Sequence, residues 1–271
     1  MKLFTGKKYL FCCLLAFLIL VSGCGLKKPP TLLTEQIILA PYQPFRIVQI
    51  CLDTPPLYPE SLFRTAANAV ADRIDSSITV NFGGMEVYVT LITHDSYQDD
   101  VLQFSIPAFP ADPTKPQLVQ SNNVYDNADT NSYYQKELAG WQLALVSQHH
   151  KLVELRKQVK QYTDKLRSLR DPYDDKGADL WGCLQDTTLH FQQAGEKYLL
   201  IASALVNNTD LQKSTHINLS AASVRAVWRI CQVAATCQAS NAYWTHVFLK
   251  DGAKAVTFYD PASSDNEKPT F

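Results

Sequence analysis

Phe45-Arg46-Ile47-Val48-Gln49-Ile50-Cys51-Leu52-Asp53 is the stretch whose reading decides the fold. It is a short apolar run rich in β-formers and reads as a buried strand ending on a carboxylate. Outward from it, the elements alternate. Pro55 and Pro56 break the strand, and a helix begins near Pro59-Glu60-Ser61. Proline suits that first turn, where its missing N–H needs no intrahelical partner. Leu62, Ala66, Val70 and Ile74 recur every four positions and give the helix one buried stripe. Gly83-Gly84 then turns the chain into a strand over Glu86–Thr93, with Val87, Val89 and Leu91 on one face. Val101–Ile106 reads as another, aligning Leu102, Phe104 and Ile106.

Residues 107–132 are rich in proline and asparagine, carry no period and read as a long loop. The pattern then changes. Leu138, Trp141, Leu145, Leu152, Leu155, Val159, Tyr162, Leu166 and Leu169 follow a heptad-like spacing that only Gln148 breaks. A helix from about Tyr134 to Arg170 would run roughly 55 Å at 1.5 Å per residue. Such a helix either packs its seam along the domain or projects from it, where it could self-associate or bind a partner. Asp171-Pro172 ends it. There follow a helix over Gly177–Ala194, a strongly apolar strand over Lys197–Leu205, a strand over Val224–Cys231, a helix over Gln238–Lys250 and a short strand over Ala253–Tyr259. A polar tail occupies residues 261–271. Strands alternating with helices imply an α/β domain with a mainly parallel, doubly wound sheet, interrupted by one long helix.

The amino terminus has a different logic. Lys2, Lys7 and Lys8 precede an uncharged apolar run, Tyr9–Val21. Thirteen residues fall short of the ~20 that a spanning helix needs, but match the core of a secretory signal. Val21-Ser22-Gly23-Cys24 resembles the lipobox of bacterial lipoproteins. That resemblance implies cleavage before Cys24, diacylation of its thiol, and a cell-envelope protein held at the extracytoplasmic side of a membrane by lipid. Residues 1–23 would then be the signal peptide and 24–44, with four prolines between Lys27 and Pro44, a lipidated tether. The domain proper is 45–260. Which membrane carries it stays open.

The formal net charge of −1 gives no reason to expect a polyanionic partner, and nucleic acid is not expected outside the cytoplasm. An exported chain meets an oxidising compartment, where disulfides persist. Cys231 and Cys237, close in sequence, are expected to bridge. Cys51 and Cys183, each among apolar neighbours, are expected to be buried free thiols. No C-x-x-C pair or histidine spacing indicates zinc.

Three segments, in order, resemble a von Willebrand factor A-like (vWA) domain, whose fold is a doubly wound sheet of Rossmann type. They are Ile50-Cys51-Leu52-Asp53 with its following loop and helix, Lys176-Gly177-Ala178-Asp179-Leu180-Trp181-Gly182-Cys183-Leu184, and the strand Tyr198–Leu205 with its polar turn at Asn207-Asn208. The resemblance covers roughly Phe45 to Asp260 and lies in pattern more than identity. It implies a metal-ion-dependent adhesion site at the carboxyl ends of the strands, where such sheets bind ligands. There, hard oxygen donors hold a Mg²⁺ that keeps waters. Asp53 matches the first ligand. The two serine positions are Pro55 and Leu57, Ala178 stands for the threonine, and Ala204 for the later aspartate. With one ligand of five kept, the metal site is expected to be degenerate and the chain to use no cofactor. Asp179, Thr54 and Ser203 could partly substitute, and the alternative for Asp53 is a strand-end carboxylate that caps the next turn or helix.

No G-x-S-x-G elbow, P-loop, H-E-x-x-H or G-x-G-x-x-G occurs. His149-His150 lies within the long helix and reads as solvated, His94-Asp95 follows a strand, and His190, His216 and His246 have no legible triad partner. The expectation is a non-enzymatic, lipid-anchored interaction module that meets an unknown protein through loops at Asp53, Asp179 and Asn207, or through the long helix. The rivals are a lipoprotein enzyme or small-ligand receptor on the same scaffold, and a structural subunit of an envelope complex.

Overall fold

Alternate residues of the first strand, β1 (Arg46–Asp53), belong to two different cores. This follows from the strand's period of two, which sends successive side chains to opposite faces. The computed structural model describes residues 43–54, 58–97, 100–118, 124–170, 176–206, 217–227 and 234–259. Within them follow α1 (Glu60–Ser77), β2 (Met85–Ile92), β3 (Asp100–Ile106), α2 (Val124–Arg167), α3 (Leu180–His190), β4 (Glu196–Ala202), β5 (Ser223–Val227), α4 (Ala234–Lys250) and β6 (Ala255–Phe258). The six strands form one sheet in the order β3-β2-β1-β4-β5-β6. Every pairing is parallel except β2–β3, whose register slips between Val89 and Thr90. This is the doubly wound, mainly parallel α/β sheet expected from the alternating elements, with the strand order of Rossmann-like folds.

The described residues divide between two compact units, one within 114–141 and the other within 43–113 and 142–259. In the first, Lys115 Nζ sits over the Trp141 ring, 5.8 Å from its centroid. The second holds the sheet. On one face Val48, Ile50 and Leu52 pack with Phe63, Ala66, Val70 and Ile74 of α1 and with Leu152, Leu155, Val159 and Leu166 of α2. On the other, Ile47 and Cys51 pack with Leu180, Cys183 and Leu184 of α3 and Trp244, Val247 and Phe248 of α4. Two-sided cover is why β1 reads as a nearly continuous apolar run.

The heptad-like seam is therefore core from Leu152 onward, with Tyr162 and Leu169 partly buried beside it. Polar bonds tie this half of α2 to α1. Arg156 Nε donates to the Ile78 carbonyl (3.0 Å), Thr163 Oγ1 to Asp75 (2.8 Å), and Arg167 to both Asp72 and Asp75 (2.7 Å each).

Three expectations need correction. Helix α2 begins at Val124, ten residues before Tyr134, so the end of the expected 107–132 loop is helical. Asp126, Asn127 and Asn131 are weak helix formers, and no apolar period marks that turn. Helix α3 is shorter than residues 177–194, because Asp179 caps it and it stops at His190. Above all, Cys51 and Cys183 are not free thiols. They form a disulfide between β1 and α3, with Cα atoms 6.2 Å apart and 132 residues between them in sequence. Cys237 is also disulfide-bonded; its expected partner, Cys231, lies outside the described residues, as do Cys24 and Asn207.

A cross-link closing so long a loop removes much entropy from the unfolded chain, about 3–5 kcal/mol in the chain-entropy account. The double variant Cys51→Ala/Cys183→Ala is expected to melt ~10 °C or more below the parent. Thermal denaturation with and without reductant checks this: the parent should fall towards the variant, and the variant should not respond at this site.

Candidate functional site

The carboxyl ends of β1, β2 and β4 bring the sequence-singled residues together. Asp53 closes β1 as its last residue, beside the end of β4. Its Oδ2 accepts a hydrogen bond from Ser203 Oγ at 2.7 Å. Ser203 Oγ in turn accepts from the Leu205 backbone N–H at 2.9 Å. Thr54 turns away: its Oγ1 donates to the Ile92 carbonyl of β2 at 2.9 Å. Asp53, Thr54 and Ser203 are all buried.

Burial dominates the electrostatics. It pushes the Asp53 carboxyl up to about 6, although the hydroxyl of Ser203 and the nearby amides of Ala204 and Thr54 favour the charged form. Those amides do not reach Oδ1 in bonding geometry, and Oδ1 has no hydrogen-bond partner among the described residues. An ionised carboxylate 1% exposed with one oxygen unsatisfied is costly, so the proton leaves at higher pH than from a carboxyl in water. Burial, and then the Asp53 charge, also push the Tyr58 phenol upward.

The turn after β4 is locked and strained. Leu205 has φ of +58°, a region that bulky residues enter at a cost of about 1–3 kcal/mol. Trp244 Nε1 from α4 donates to its carbonyl at 3.0 Å and holds it there. Strain of this kind gathers where a fold presents a surface or a ligand site.

Asp179 has a second, separate role. As N-cap of α3 its Oδ1 accepts from the Gly182 N–H at 3.0 Å, one of the donors a helix start leaves unpaired. Its Oδ2 accepts from the Ser96 N–H at 3.3 Å, and its own N–H donates to the Thr93 carbonyl at 2.6 Å. The β2–β3 connection is thus sewn to the start of α3. Gly182 permits this approach, because a Cβ there would stand 2.7 Å from the Tyr97 nitrogen.

Asp53 and Asp179 are both buried, so neither carboxylate is itself a contact surface. Exposed groups on this edge include His94, Asp95, Tyr97 and Val206. A hydrated Mg²⁺ does not fit the described residues of this edge. It needs near-octahedral oxygen donors and keeps several waters. Here one carboxylate and one committed hydroxyl face each other, while Ala178 and Ala204 bring methyl groups. Nor does Ser203 resemble an activated nucleophile, since its hydroxyl donates to a carboxylate and is shut away from solvent.

Of the histidines, His149 pairs with Asp112 at 3.4 Å on an exposed surface. His216 lies outside the described residues. His190, which has no legible partner in sequence, is bonded to Gln49 and Asp100. No local signal could have found this, because its partners lie on β1 and β3.

Asp53 carries a pH signature. Its folded value, about 6, exceeds the reference 3.8, so between those pH values the folded chain binds the extra proton. Stability therefore falls as pH rises through that window, by about 3 kcal/mol for two units. Asp53→Asn is expected to melt several degrees higher than the parent at pH 7.5 and equally at pH 3.5, read by calorimetry at both values. Equal melting at pH 7.5 would remove the buried-charge account. No protein-family model matches the chain, and no curated protein matches it in sequence.

Proposed function

We propose that this chain is a lipid-anchored, extracytoplasmic vWA-like module that binds a protein partner without a metal ion. One observation carries the reading. In a sheet of order 3-2-1-4-5-6 with an antiparallel β3, the aspartate ending the central strand faces the end of β4, at the edge where such sheets bind ligands. At that edge hydroxyl and methyl groups stand where oxygen ligands would be needed, and burial pushes the lone carboxyl up to about 6. The strained, Trp244-braced turn at Leu205 and the connection sewn down by Asp179 make the edge a rigid presenting surface.

Export is supported by the lipobox-like segment at Cys24 and by the Cys51–Cys183 disulfide, a bond that persists in oxidising compartments. Among the described residues no helix is long and apolar enough to cross a membrane. In this reading the acylated Cys24 is the membrane contact, and two acyl chains suffice for stable anchoring.

The test pairs two measurements. Calorimetric titration of Mg²⁺ and Mn²⁺ into the chain from Gly25 onward is expected to give only heats of dilution. Saturable binding that Asp53→Ala abolishes would overturn the metal-free reading. Photo-cross-linking in cells from position 97 or 206 is expected to trap a discrete protein adduct. Position 254, at the amino end of the sheet, serves as control and should trap none. Absence of any adduct from the carboxyl edge would sink the interaction reading.

A second reading, a structural subunit that self-associates, has one observation in its favour. With the seam of α2 used by the core from Leu152 onward, the opposite side leaves Leu143, Val146 and Val153 exposed at 73%, 69% and 58%. Sedimentation at high concentration decides it. Reversible dimers lost in Val146→Glu would support that reading, and a strict monomer would remove it.

A further inference from the structure

The three most exposed large apolar side chains among the described residues, Leu143, Val146 and Val153, all stand on α2. With His150 between them they follow the three-four spacing of a single helix face. That face is not the one the core uses. Leu152, Leu155, Val159 and Leu166 pack on α1 and the sheet, and Val153 points about 100° away from its neighbour Leu152. Exposed aliphatics scattered singly are ordinary, but an aligned row of them marks a surface that meets something apolar.

Towards the carboxyl end of α2 the same spacing carries on to Lys157 and Lys160, both exposed. From Gln142 to Arg167 the helix holds six lysines and arginines against Glu154 and Asp164, a net charge of +4 in a chain whose total is −1. Arg167 is taken up by Asp72 and Asp75 of α1, which still leaves the lysines in excess. An apolar row continued by cationic positions is the surface of a helix that lies flat in a bilayer interface. Its aliphatic groups enter the acyl boundary and its ammonium groups meet anionic headgroups. We propose that this outward face of α2 seats the domain on an anionic lipid surface.

Charge separates this occupant from a second copy of the chain. A parallel copy would set Lys157 and Lys160 against themselves, and no acid lies on the stripe from Leu143 to Lys160 to receive them from an antiparallel one. Asp164, the next position along, is already held by Lys160 and Arg167, each at 3.0 Å. A headgroup layer supplies the missing negative charge and adapts to the row, as a protein surface of like sign does not. The proposal rests on the lipid-anchored reading above for bringing a bilayer within reach. Eighteen residues separate Cys24 from Gln43, a span of at most ~60 Å when fully extended. Such a tether lets any side of the domain turn to the membrane, so the chemistry of the surface makes the choice.

The test uses the full chain as cells process it, reconstituted with vesicles of phosphatidylcholine alone or with about one third phosphatidylglycerol. Flotation reports whether the chain is held. Hydroxyl-radical oxidation, read by mass spectrometry, then reports the exposure of Leu143, Val146 and Val153, with the half-exposed Leu249 of α4 as internal reference. On the anionic vesicles, oxidation of the stripe relative to Leu249 is expected to fall about fivefold. It should recover in Lys157→Glu/Lys160→Glu, and Val146→Glu should restore oxidation at Leu143 and Val153. All three substituted side chains are exposed, so the fold is kept. A chain that floats with its stripe unprotected on anionic vesicles overturns the docking and leaves the anchor standing. One held by anionic vesicles alone, with the stripe protected, supports the docking and removes the anchor, and one held by neither overturns both. Protection that is equal on phosphatidylcholine alone, or that grows with protein density, assigns the stripe to a second copy and overturns the lipid assignment.

Discussion

Two-sided burial of β1 is the constraint from which the rest of the structure follows. A strand paired on both edges and covered on both faces has no polar surface left, so each of its side chains must be apolar or fully bonded. Val48, Ile50 and Leu52 meet this on one face, and Ile47 and Cys51 on the other. Three polar residues remain: Arg46 at the half-buried start, Gln49 in the middle and Asp53 at the end. Gln49 is accommodated by drawing in Thr90, Asp100 and His190 from three other elements. Asp53 is accommodated by the Ser203 hydroxyl, and its burial pushes the carboxyl up to about 6. Both of these polar clusters are thus consequences of placing a polar group on the most buried strand.

The disulfide belongs to the same constraint. Cys51 lies between Gln49 and Asp53 on one face of β1, so its bond to Cys183 holds α3 over both polar clusters at once. Asp179 caps the helix at one end, and the Asp100–His190 contact holds it at the other. A helix only eleven residues long would be marginal alone. Here it is stapled at its start, its first turn and its end, and in return it covers the face of the sheet that carries Gln49 and Asp53.

Helix α2 shows how one periodicity can serve an unexpected end. A heptad-like seam is the mark of a coiled coil, but the physical requirement is only a narrow apolar stripe meeting a surface of the right curvature. From Leu152 to Leu166 that surface is α1 and the sheet. Arg167, bonded to Asp72 and Asp75, fixes the register along α1 more specifically than apolar packing could. The stripe exposed at Leu143, Val146 and Val153 lies on a different side of the helix and has no counterpart in the seam.

The sequence by itself determined the order and type of the elements, because the period of burial is written locally: continuous for β1, alternating for β2 and β3, and at helical spacing for α1 and the later part of α2. It also placed Asp53 at the strand end and showed that Ala178 and Ala204 bring no oxygen. It did not mark the start of α2, where residues 124–133 carry neither period nor strong propensity. Only the tertiary structure decided the pairings. Cys51 and Cys183 looked like isolated thiols because the helix that joins them lies 132 residues on. His190 looked solitary because its partners arrive from β1 and β3. Asp179 looked like a contact residue until the β2–β3 connection folded onto it. In each case the side chain's meaning depends on strand order and register, and these are set by how the faces of the whole sheet are covered.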